Sequence, residues 1–153
     1  MSGTPVLNLI MANVATTVAG ITKANGFNCD LTVNRLSQLP PSPSPGLAMI
    51  RRETPTEVTQ DVPEWFVQWE QPISIFVAFP PASDQAPPLD DQLAIYCADI
   101  TKAMQVDYTR GGNAIDTTVA KPSEDIPAEG TFYVAAVVTV IYRTLRTDPY
   151  TAV

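Results

Sequence analysis

The chain has 153 residues, 45% of them hydrophobic and only 16% charged, with a formal net charge of −7 and no histidine. That length suits one domain around a single core. The acidic balance argues against general nucleic-acid binding, which needs clustered Lys and Arg to neutralise phosphates.

Taken in chain order, Leu7, Ile10, Met11, Val14, Val18 and Ile21 fall on one helical face and predict an amphipathic helix over Leu7–Lys23. Thr4 is its expected N-cap, Pro5 its first helical residue and Asn25-Gly26 its stop. Phe27, Cys29, Leu31 and Val33 alternate with Asn28, Asp30, Thr32 and Asn34, the period of a half-buried strand ending near Ser37. Leu39 to Gly46, "LPPSPSPG", is too rich in proline for a helix or a central strand and reads as an extended loop. Leu47–Glu53 and Glu57–Thr59 predict short strands. Trp65–Phe79 predicts a longer one, with Pro72 breaking it or holding it at an edge. A second proline-rich loop covers about residues 80–88. Leu89, Leu93, Tyr96, Cys97, Ile100 and Met104 then restore helical spacing over Leu89–Met104, with Asp90 and Asp91 at the positive N-terminal end. Arg110–Asn113, "RGGN", is a turn leading into a strand over Ala114–Val119; it lacks the Lys-Ser/Thr of a phosphate loop.

No catalytic set emerges. Histidine is absent, so the commonest acid/base residue is missing, and neither cysteine has an obvious activating base. The adjacent acids Asp90-Asp91 and Glu124-Asp125 read as solvated caps or loops. Cys29 and Cys97 without histidine do not make a usual structural zinc site. They read as reduced, buried thiols, the other reading being one disulfide. No cofactor or metal site is expected. The longest apolar run, Phe132–Val138, is far short of the roughly 20 residues of a membrane helix, and no basic region precedes the first apolar stretch. Neither a membrane span nor a secretory signal is indicated.

The last strand, within "TFYVAAVVTVIYRTLRTDPY" (Thr131–Tyr150), is apolar on both faces. Simple alternation puts Val134, Ala136, Val138, Val140 and Tyr142 on one face and Tyr133, Ala135, Val137, Thr139, Ile141 and Arg143 on the other. The expected fold is α+β: one domain with a small mixed or antiparallel sheet and two amphipathic helices packed on one face. The second apolar face then needs another sheet or another copy of the chain, and self-association is favoured. Tyr133, Val137, Val138, Ile141, Arg143 and Arg146 are the candidate interface residues. Trp65, Phe66 and Trp69 read as core, with interface packing the alternative.

The order of elements resembles the tail terminator, or tail completion, proteins of long-tailed bacteriophages, in the lambda-like minor tail protein family. The likeness runs from about Leu7 to Tyr150. It is carried by the leading helix, the strand "FNCDLTVNRL", the proline-interrupted middle, the helix "DDQLAIYCADITKAM" and the closing "IYRTLRTDPY". The expanded "LPPSPSPG" segment departs from it. The resemblance implies a homohexameric ring that caps the finished tail tube, ends its polymerisation and offers a surface to the head connector or neck protein. Such a subunit is assembled in the host cytoplasm, sits at the head-proximal end of the tail in the virion, and carries no catalysis. DNA would pass through the lumen without specific binding, which an acidic lining favours. The alternatives are a head-closure or neck adaptor and, from another class, a small ligand-binding or enzyme domain.

Overall fold

The computed structural model of the chain describes residues 3–35, 44–79, 87–121 and 132–153. Most of the two expected proline-rich loops, and the acidic pair Glu124-Asp125, lie outside the described residues.

Two long strands, β4 (Phe66–Ala78) and β6 (Phe132–Leu145), pair antiparallel along their whole length and form the centre of the sheet. On the outer side of β4 lie β2 (Leu47–Arg52) and, further along, β3 (Thr56–Val58). On the outer side of β6 lie β5 (Asp116–Ala120) and then β7 (Asp148–Ala152). A two-residue strand, β1 (Thr32–Val33), adds to β2 in parallel, so the seven-stranded sheet is mixed. Helices α1 (Val6–Ala19) and α2 (Leu89–Val106) contribute to one apolar cluster with one face of this sheet, the α+β arrangement expected.

The helix-side face is built by period-two alternation. Ile73, Ile75 and Val77 of β4 stand beside Val138, Ala136 and Tyr133 of β6, and Ala48 and Ile50 of β2 continue the rows. Onto them pack Ile10, Met11, Val14 and Val18 of α1 and Ile100, Ala103 and Met104 of α2. Phe79 fixes the far end, edge-on to Tyr96 of α2 at 5.2 Å and to Tyr133 at 5.4 Å. Trp69 packs half-buried against the same cluster, whereas Trp65 precedes the strand and is exposed.

One residue breaks the alternation in β6. Ile75 pairs with Ala136 but Phe76 pairs with Val134, so Ala135 has no opposite number and forms a bulge. Ala135 and Ala136 are both buried in the helix-side cluster, where two consecutive small side chains fit. Beyond the bulge the faces exchange relative to simple alternation: Tyr133 turns to the helices, while Val134 and Phe132 turn away to join Phe76 and Ala78.

Pro72 neither ends β4 nor lies at the sheet edge. It pairs with Thr139 in mid-strand, at the gap where β2 stops and β3 has not begun. Its carbonyl accepts from Glu53 N at 2.9 Å, so its missing N–H faces that gap. The side chain of Gln71, buried at 1% exposure, supplies the absent donor: its Nε2 donates at 2.8 Å to the carbonyls of Glu53 and of Pro72.

The remaining differences from the sequence reading are at the ends of elements. Pro5, not Thr4, occupies the N-cap of α1, where its carbonyl accepts from Asn8 N and Leu9 N. α1 stops at Ala19, and Asn25-Gly26 instead ends a separate 3-10 turn (Lys23–Asn25), with Gly26 in the left-handed region at φ 87°. Of the strand expected from Phe27, only Thr32–Val33 joins the ladder. β6 is not the last strand. The chain turns at Arg146-Thr147 and returns as β7.

The Gln71 arrangement sets an expectation. Gln71→Leu keeps the volume roughly but leaves the Glu53 carbonyl without its donor, so it should lower unfolding stability by about 1–3 kcal/mol. Urea denaturation checks this, and a loss of only a few tenths would show that solvent replaces the amide.

Candidate functional site

The sheet face turned away from the helices divides into two halves. In the first, Phe76, Ala78, Phe132 and Val134 are buried, with Leu47, Met49 and Val137 packed partly buried against them. The Arg51 guanidinium stacks 4.7 Å from the Phe76 ring centroid and pairs with Glu53 at 2.8 Å. In the second half, Phe66, Gln68 and Pro72 of β4 stand beside Leu145, Arg143 and Thr139 of β6, all half-buried, with Ile141 between them. Among the described residues, these side chains stand outside the cluster that the helices share.

At the end of this half, the turn between β6 and β7 meets the loop that leads into β4. Arg146 Nε donates to the Glu64 carbonyl at 2.9 Å and its Nη2 to the Phe66 carbonyl at 3.4 Å, while its backbone N donates to the Trp65 carbonyl at 2.7 Å. These bonds brace a loop whose Trp65 side chain is 70% exposed, the most exposed aromatic among the described residues. Arg143 is also held within the chain: its Nε and Nη2 donate to Gln68 Oε1 at 3.2 and 2.7 Å, and its guanidinium lies 5.4 Å from the Phe66 ring. An exposed Trp on a braced loop beside oriented Arg side chains has the composition of a protein-contact surface.

The structure sorts the six candidate interface residues into two groups. Val137, Ile141 and Arg143 lie on the open face, and Arg146 lies in the turn at its end. Val138 is completely buried in the chain's own core, and Tyr133 packs against Phe79 on the helix side. Neither belongs to the open face, because Val138 follows the helix-side alternation and the bulge turns Tyr133 to the same side. Of the two tyrosines near Arg143 and Arg146 in the sequence, Tyr142 is buried on the helix side and Tyr150 is exposed on β7.

Two buried charged groups escaped the sequence reading. Asp99, 2% exposed in the middle of α2, accepts from Asn28 N at 2.9 Å, Asn28 Nδ2 at 3.1 Å, and the backbone N and thiol of Cys29, both at 3.0 Å. Its signal in the sequence is a carboxylate inside the apolar stripe of a helix, between Tyr96 and Ile100. Arg110, 1% exposed and at φ 51°, donates to the carbonyls of Met104 and Asp107 and to Thr17 Oγ1, so it closes the C-terminal end of α2 and ties it to α1. The "RGGN" turn is thus a helix cap. Asp107 holds the same turn through Thr109 and Gly111, and those hydrogen bonds keep its carboxyl below the usual range.

Cys29 and Cys97 are both free and buried. Burial, then the hydrogen bond to Asp99 and the charge of that carboxylate, push the Cys29 thiol far above the ordinary range. It is a neutral donor, not a nucleophile. Among the described residues no three His, Cys, Asp or Glu side chains gather where they would hold a metal ion, and no helix is long and apolar enough to cross a membrane. Compared with known proteins, the chain matches no family model and no curated relative.

The Cys29 environment has a pH consequence. The folded chain holds this proton more tightly than the unfolded chain, so its contribution is complete below the ordinary thiol range, about pH 8.5, and is lost as the pH rises above it. Urea midpoints should therefore fall between pH 7 and pH 9.5, and Cys29→Ala should flatten that slope. An unchanged slope in the variant would assign the alkaline loss to other groups, Tyr96 and Tyr142 among them, whose hydroxyls burial also pushes up.

Proposed function

We propose that the chain is a structural subunit of a bacteriophage tail. Its copies associate into a ring, hexameric in the family that the sequence resembles, which caps the tail tube, stops its growth and presents a surface to the head connector. The reading rests chiefly on the second half of the sheet face turned away from the helices: Phe66, Ile141 and Leu145 stand half-buried and, among the described residues, outside the cluster that the helices share, beside the exposed Trp65. Along β6 the apolar side chains of this face alternate with Thr139 and Arg143, and Ile141 stands between Glu70 and Asp116, so the face mixes apolar and polar groups as a non-obligate protein contact does. The low share of charged residues, 16%, points the same way. The net charge of −7 suits a lumen through which DNA slides without binding.

Native mass spectrometry, followed by electron microscopy with purified tail tubes, tests the reading. Rings seated on tube ends are expected. Binding to connectors and not to tubes would make the subunit a neck adaptor, and a chain that stays monomeric and ignores both would overturn the proposal.

Two substitutions separate folding from assembly. Ile141→Asp places a carboxylate on the open face and should abolish ring formation while the circular dichroism of the subunit stays native. Val138→Asp buries the same charge unpaired in the core and should unfold the chain. Rings of normal stability in Ile141→Asp would remove this face from the contact.

A further inference from the structure

The segment Gly26–Asn34 crosses the outer edge of the sheet with few backbone bonds of its own. Besides the short β1–β2 ladder, two bonds tie it to the β2 side, Thr32 N to the Gly46 carbonyl at 3.0 Å and Asn34 N to the Ala48 carbonyl at 3.1 Å. A third runs from Leu31 N to the Ile21 carbonyl at 2.9 Å. At its start Gly26 N and Phe27 N donate to the Lys23 and Thr22 carbonyls at 3.1 and 3.2 Å, and the Asp30 carboxylate accepts from Lys23 N at 2.8 Å. Further fixings come from side chains of α2. Asp99 takes the backbone N–H groups of Asn28 and Cys29 and the Cys29 thiol. One turn on, Lys102 Nζ donates to the Gly26 carbonyl at 2.9 Å and lies 4.9 Å from the Phe27 ring.

We infer that Gly26–Asn34 is a separately opening unit, latched to α2 by the Asp99 carboxylate, and that its release uncovers the outer edge of β2. The inference does not depend on the assembly reading. Its ground is the uneven way the segment is held. Cys29 and Leu31 are buried in the core, but they lie on a stretch without regular secondary structure, beside a strand of two residues. Short, weakly paired elements belong to the low-stability end of local opening, whereas β4 and β6 are paired throughout. What offsets that weakness is one buried carboxylate, which forms no ion pair with a Lys or Arg among the described residues and is satisfied by donors of the segment itself. Removing its charge therefore acts on the segment first.

The uncovered edge is specific. β1 reaches only as far as Ala48, so among the described residues no strand lies beside the outer side of Met49–Arg52. Release of the segment joins Leu47 and Ala48 to that stretch and bares the whole of β2, an edge open to pairing with an added strand. Close approach on the other side shows how tightly the closed form is seated. A Cβ at Gly46, which has φ 81°, would lie 2.8 Å from the Asp30 carbonyl oxygen, so only glycine fits there.

Native-state hydrogen exchange of the whole chain is the test, read at the amides of Asn28, Cys29, Leu31, Thr32 and Asn34 against those of Ile75 and Val138. In Asp99→Asn one carboxylate oxygen becomes an amide donor facing donors. Protection at the five segment amides should fall about 100-fold, while Ile75 and Val138 keep theirs within about threefold. Lys102→Met, at an exposed position, should produce a smaller fall at the same amides. For the case in which Asp99→Asn does not fold, the wild-type chain in sub-denaturing guanidinium gives the answer alone: the five amides should share an opening with a shallower denaturant dependence than Ile75 and Val138. Coincident dependences in the wild type, or equal losses at both sets of amides in the variants, would overturn the inference.

Discussion

The register between β4 and β6 governs where every other element sits. It sets which side chains face the helices, and both outer layers of strands attach to these two. Because the pairing runs unbroken past Pro72, the outer side of β4 can be shared between β2 and β3, with the chain bending away between them exactly where β4 has no N–H to offer. On the other side β6 is shared in the same manner between β5 and β7. A sheet of seven strands is thereby built on two long ones.

Buried polar side chains in this fold serve the backbone where regular structure stops. Gln71 stands in for a donor that proline lacks. Arg110 satisfies carbonyls at the last turn of α2, and Asp99 receives two N–H groups from a segment outside the ladder. Each is a case in which a backbone group shut away from water must find a partner, and an unpaired one is expensive. Ser74, Thr117 and Thr144, by contrast, are buried within strands, and on the sheet face away from the helices the fixtures are side-chain pairs, Arg143 with Gln68 and Arg51 with Glu53. The two faces differ accordingly: one is closed by the packed helices, the other only in the half around Phe76 and Val134 among the described residues.

Much of the architecture was legible because it rests on period. The helical stripes of Ile10, Val14 and Val18 and of Cys97, Ile100 and Met104, and the long strands around Ile75 and Val138, announce themselves by spacing. The errors arise where a single residue or a distant partner decides. Alternation through Ala135-Ala136 assigns Tyr133 and Val134 to the wrong sides, because nothing local distinguishes a regular strand from one with a surplus residue. Phe27–Leu31 has the pattern of a strand, and Cys29 and Leu31 are buried as that pattern implies, yet the N–H groups of Asn28 and Cys29 bond to Asp99 some seventy positions away. The open face was foreseen as an apolar surplus in the last strand, with Val137 and Ile141 on it. Val138 could not be told from them by composition, since a core valine and an interface valine look alike.

The bulge gives β6 an unequal tolerance to changes of chain length. Dropping Ala135 would bring Val134 and Ala136 together as ordinary neighbours, with Phe76 and Ile75 already waiting opposite them, and every remaining side chain would keep its face. Loss of one residue between Val137 and Tyr142 would instead turn one arm of the strand over, carrying core valines into the open and Ile141 or Arg143 under the helices. A single-residue deletion is thus conservative at one point of this strand and inverting along the stretch beside it.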